Sequence, residues 1–183
     1  MSEAPGASPL PIAFLGLMIA TTVYAGFETQ ILPRSEFHTI GWLVLAVPVP
    51  MQLLAAVWGL ARGELAAATS SSVLAATWLA VSLATITGTA GPPGPPQAES
   101  LLLFASAAAL LVSVTTELLD REHVAAAVLL TTSCRFVLTG VSGLTHSQGW
   151  TTAAGVAGFV LAAAALAGAL FVELRSARER RAT

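Results

Sequence analysis

The sequence predicts an all-α protein with six transmembrane helices in one bundle. Three observations predict it. Charged residues make up 10% of the 183-residue chain, against about 25% in a soluble domain, and the mean hydropathy is +0.78. Six apolar runs follow one another, each near the ~20 residues that cross ~30 Å of hydrocarbon. The runs are continuously apolar rather than alternating, which selects helices over a β-barrel. A formal net charge of −2 with no lysine offers no basic face to nucleic acid. The single cysteine, Cys134, excludes an intrachain disulfide and reads as a small apolar side chain in a buried helix.

Residues 1–9 are expected to form a short, small-residue cytoplasmic N-terminus, 10–173 the membrane domain and 174–183 a basic cytoplasmic tail. Span one is read at 10–27 and is followed by a polar loop at 28–38. Span two is read at 39–60; Pro48 and Pro50 should kink or unwind it near mid-depth, because proline removes a helical N–H donor. Arg62-Gly63-Glu64 makes a tight turn into span three at 65–87. GPPGPP at 91–96 is a stiff extended linker into span four at 100–118. Asp120-Arg121-Glu122 turns into span five at 123–143, and 145–149 leads to span six at 150–172.

The arginines set the expected orientation. Arg62, Arg121, Arg175, Arg178, Arg180 and Arg181 all fall on the side of the two termini, while Arg34 alone falls opposite. By the positive-inside rule both termini are cytoplasmic, in a multi-pass protein of the cell membrane. Trp42 and Trp150 then start spans at the outer interface, and Trp58 ends one near the inner interface. On span six, Ala154, Gly158, Ala162, Ala165 and Ala169 form a narrow stripe, which predicts close helix packing within or between subunits.

The stretch 124–143 reads VAAAVLLTTSCRFVLTGVSG and carries Arg135 deep in an apolar run. An arginine there costs at least ~3 kcal/mol on insertion scales, so it must face protein, water or an anion. Thr131, Arg135, Thr139 and Ser142 recur at i, i+4, i+8 and i+11 and are expected on one face. The functional reading is an anion-attracting charge flanked by hydroxyls. The structural reading is a charge capped by carbonyls or turned to a subunit interface. No acidic residue falls in the interior of any span, and Glu117 at the cytoplasmic end of span four is the nearest candidate partner. Gln52, an amide in mid-span, is either a pathway hydrogen bonder or glue for carbonyls freed by the prolines. Thr69-Ser70-Ser71-Ser72 reads as hydroxyls bonding back to their own helix, and Trp78 as a packing residue.

No enzyme is expected. Gly140-Val141-Ser142-Gly143 matches the GxSG of six-span serine proteases, which need a histidine base on another span. His38, His123 and His146 all fall at loops or span ends. No ligand spacing supports a metal, and no cofactor is implied.

These features together resemble the acetate/succinate uptake transporters. That family enters span one with Asn-Pro-Ala-Pro-Leu-Gly-Leu; here Ser8-Pro9-Leu10-Pro11-Ile12-Ala13-Phe14 stands in its place. Both prolines match; the asparagine and the glycine do not. Gly16 and Thr21 follow, then Gln52, Ala56, Arg62-Gly63 and Trp78 at the family's spacing. Arg121 matches the basic turn before span five, and Gly149-Trp150 through Glu173 resemble the last span. The resemblance implies a helical bundle with a pore through each protomer, assembled as a homo-oligomer, a hexamer in the family. It implies small carboxylate substrates such as acetate and succinate. The family's apolar constriction maps onto Leu17, Leu74 and Leu130; beside it, Thr21, Gln52, Thr131, Arg135, Thr139 and Ser142 of this sequence are the candidate polar pathway or anion-binding positions. The family lacks an arginine at the position of Arg135, which points to a stronger or larger anion.

The expected function is a channel or transporter for small carboxylates, with the bilayer and copies of itself as partners. The alternatives are a channel for urea or a similar neutral amide, and a non-transporting assembly protein that keeps the scaffold.

Overall fold

The computed structural model describes residues 8–88 and 93–182. The small polar start at 1–7 and the Gly91-Pro92 part of the linker lie outside the described residues. Among the described residues there is no strand, and six helical segments are long and apolar enough to cross a membrane.

Helix α1 runs Leu10–Glu28, with Pro11 in its first turn, where a missing N–H costs nothing. A 3-10 turn, Arg34–Glu36, leads to α2 (Phe37–Ala46) and α3 (Pro48–Arg62). The expected break in span two is present at Val47, and it turns Pro48 and Pro50 into first-turn residues of α3, where proline is tolerated. Gly63 closes α3 at φ +73, with Glu64 N–H donating to the Gly59 carbonyl at 2.9 Å, an ending that favours glycine. The hairpin is tight because Gly59 lies on the backbone of Ala68.

Helix α4 spans Leu65–Thr87, α5 Gln97–Leu119, α6 His123–Thr145 and α7 Gln148–Ala182. Span six was expected to stop at 172. The helix instead continues through the basic segment, whose Leu, Glu, Arg and Ala residues are strong helix formers with no glycine or proline to stop it. Arg175 ties this extension to the α5–α6 turn through Glu122, at 3.2 Å, and to its own helix through Glu179.

The core lies along the inner faces of α1, α4, α5, α6 and α7, joined by Ile40 and Val44 of α2 and Val49 of α3. Helix α1 is sandwiched between α3 and α7, and α5 packs on α6. The small-residue stripe of α7 is buried in these contacts, so it serves packing within the chain. Gln52 reaches across that packing: its Nε2 donates to the Ala13 carbonyl of α1 at 2.8 Å. It bonds the neighbouring helix rather than the carbonyls freed by the prolines, with Gly16 allowing the close approach.

Candidate functional site

The ends of α1, α4 and α6 and the starts of α5 and α7 gather at the end of the bundle opposite the described chain ends. Between them lies a cavity of about 650 Å³, half open to the outside. Its walls come from the loops after α1 and α4 and from the first turns of α5 and α7. The linker is drawn in closely: Gly94, at φ +83, lies against Ser142 and Gly143 with no room for a side chain.

The floor is polar on one side and aromatic on the other. On the polar side, Arg135 of α6 reaches Glu28, the last residue of α1, with Nη2 donating to Oε2 at 2.9 Å. The side chains of this pair are 2% and 10% exposed. Thr139, one turn on from Arg135, bonds the Arg135 carbonyl at 3.1 Å and lies 3.5 Å from Glu28 Oε1. Gly158 of α7 makes the space: a Cβ there would come within 2.9 Å of Arg135 Nε. The expectation that no acid lies near Arg135 is therefore corrected. Span one is one residue longer than drawn, and its inner face runs Leu17, Thr21, Tyr24, Glu28. That spacing of four, three and four is the signal that would have found the partner. Glu117, at the far end of α5, has no part in this ion pair.

On the aromatic side, Tyr24 stacks on Trp78 with ring centroids 5.6 Å apart, and Trp78 meets Phe136 edge-on at 5.7 Å. Tyr24 donates to Thr85 at 2.9 Å, because the Thr85 hydroxyl proton is committed to the Val81 carbonyl. The Arg135 guanidinium sits 5.9 Å from the Trp78 ring centroid, a cation–π arrangement. Trp78 thus packs, as expected, and also seals the cavity floor. Two buried N–H groups of the lining residues have no acceptor among the described residues: Arg135 Nε and Trp78 Nε1.

The other sequence-predicted positions divide. Leu17 and Leu74 are fully buried in the core. Leu130 is 47% exposed on the outer surface, and its neighbour Leu129 is the buried one. A one-residue register difference turns a helical side chain by about 100°, so the expected third member of the constriction faces away from the axis. Of the polar face on α6, Arg135, Thr139 and Ser142 are buried, but Thr131 lies at its edge and bonds the Ala127 carbonyl at 2.8 Å. Ser142 donates to Thr151 on α7, whose own hydroxyl is committed to the Ser147 carbonyl. Thr21 likewise bonds back to the Leu17 carbonyl at 2.8 Å. The cavity brings together Arg135 and Thr139 from the sequence-predicted set with Glu28, Tyr24, Trp78 and Glu99, none of which the sequence reading had placed in the pathway.

No family model and no curated protein matches the chain. Its fold is similar to a solved structure of the bacterial acetate channel SatP, with a TM-score of 0.75 and 16% identity over 91% of each chain. The likeness shows a shared six-span fold and agrees with the resemblance read from the sequence.

Proposed function

We propose that the chain is a membrane channel or transporter for small carboxylates and a distant member of the acetate-transporting family. The observation that carries this reading is the pair of unmet donors, Arg135 Nε–H and Trp78 Nε1–H, on residues that line one cavity floor. A buried donor without an acceptor is costly, and a carboxylate oxygen is the complement of two such groups. Guanidinium has five N–H donors; Glu28 and Thr139 engage two of them, which leaves capacity for a second carboxylate in a charge-assisted pair. The solved acetate channel of the same fold supports the same class of solute.

In this reading the cavity is the outer vestibule, both termini are cytoplasmic, and copies assemble as a homo-oligomer with a pore in each protomer. The carboxylate sheds water against the N–H groups of Arg135 that Glu28 and Thr139 leave free. It then passes the Tyr24–Trp78–Phe136 layer, below which Leu17 and Leu74 keep the axis apolar. Such a layer blocks hydrated ions by dewetting and releases a weakly held solute readily.

One observation favours a second reading. Glu28 already neutralises Arg135, and a vestibule without net charge also suits a neutral amide such as urea. Labelled acetate uptake by proteoliposomes, beside a urea-swelling assay, separates the two. Acetate uptake well above empty vesicles is the expected result. Swelling by urea without acetate uptake establishes the second reading, and movement of neither solute overturns both.

A further inference from the structure

The charges of the vestibule do not match a simple monoanion. Glu99, in the first turn of α5, lines the cavity half-buried and makes no hydrogen bond or ion pair among the described residues. Across the cavity Glu28 is held by Arg135, and the two carboxylates repel each other. At reduced dielectric this repulsion is stronger than in water. Arg135, only 2% exposed, shares the lining with its Nε unmet. Arg34 lines the same cavity, so the two acids and two arginines of the lining balance; an acetate ion at Arg135 adds a third negative charge and leaves the vestibule net negative, whereas a zwitterion keeps the balance.

Resting on the carboxylate reading, we propose that the vestibule selects small zwitterions, the carboxylate taken by Arg135 and an ammonium group held between Glu99 and Glu28. The ammonium relieves the repulsion between the two acids. The aromatic faces of Tyr24, Phe27 and Phe37 in the same walls suit a cation further. A short amino acid, with its two charges one or two carbons apart, meets both subsites at once. Glu99 is then the residue that sets specificity, and Arg135 the one that sets the requirement for a carboxylate.

Glycine and acetate make a matched pair, equal in carboxylate and near in size but different in the ammonium. In proteoliposomes of the full chain, excess glycine is expected to suppress labelled acetate uptake. Glu99→Gln is expected to weaken glycine by about tenfold, the loss of one charge-assisted contact, while raising acetate uptake. Opposite signs for the two solutes are not what loss of folded protein produces, and Glu99→Asp is expected to keep the glycine response. The proposal is overturned if glycine neither enters nor competes while acetate passes, or if Glu99→Gln lowers both solutes alike. It is also overturned if acetate uptake requires sodium and Glu99 with no response to glycine, since an inorganic cation then occupies the place between the acids. A wild-type protein that passes neither solute overturns the carboxylate reading as well.

Discussion

Glu28→Leu is expected to lower the stability of the bundle by about 3–5 kcal/mol, the cost of leaving one member of a buried ion pair without its partner. The geometry leaves little relief. Arg135 is 2% exposed, and Thr139, the other side chain that engages it, lies 3.4 Å from Nη1, a long hydrogen bond. Gly158 of α7 lies directly against Nε of the guanidinium, so it cannot swing to lipid without opening the packing. Arg135→Met leaves the carboxylate of Glu28 in the same position. The double replacement, Glu28→Leu with Arg135→Met, behaves differently, because exchanging a whole buried pair for apolar side chains is often neutral or stabilising. Thermal unfolding of the purified protein in one detergent checks this: each single variant melts well below wild type, and the double variant recovers. Single variants that melt with wild type show that the pair is reached by water.

Trp78→Ala is expected to raise acetate flux by about five- to a hundredfold. Trp78 closes the floor through its stack on Tyr24 and its edge contact with Phe136. Each such contact is worth about 0.5–1.5 kcal/mol; together they set a barrier of about 1–3 kcal/mol to moving the ring aside, which converts to that range of rates. Removing the indole also joins the vestibule to the level of Leu17 and Leu74, so selectivity should fall as flux rises. The check is labelled acetate uptake beside leakage of a larger anion such as gluconate. Unchanged flux in a folded Trp78→Ala protein places the barrier deeper, at Leu17 and Leu74.

The architecture was legible because the bilayer imposes it. A chain that crosses hydrocarbon must write its spans as long apolar runs, and Pro48 and Pro50 must break whatever helix contains them; Val47 is where it breaks. Arg135 announced itself by its cost. Its partner did not, because Glu28 sits where a span boundary drawn one residue earlier hides it in the loop. Register errors act the same way: Leu129 and Leu130 are equivalent in composition, and only the packing of α6 on its neighbours decides which one turns inward. The vestibule was illegible because it belongs to no single segment. It exists where Gly94 folds the linker over Ser142 and where Glu99 faces residues far away in sequence. The helical run of α7 through Arg175 was hidden for another reason: a charged tail reads as solvent-exposed whether or not it is helical.

Acetate uptake by the Glu28→Leu, Arg135→Met double variant tests the central claim most directly, because it removes the docking charge without leaving a buried ion unpaired. The expected result is a protein that melts with wild type and takes up no more acetate than empty vesicles. Wild-type uptake by that folded double variant would contradict the account, since carboxylates would then cross without the guanidinium at the vestibule floor.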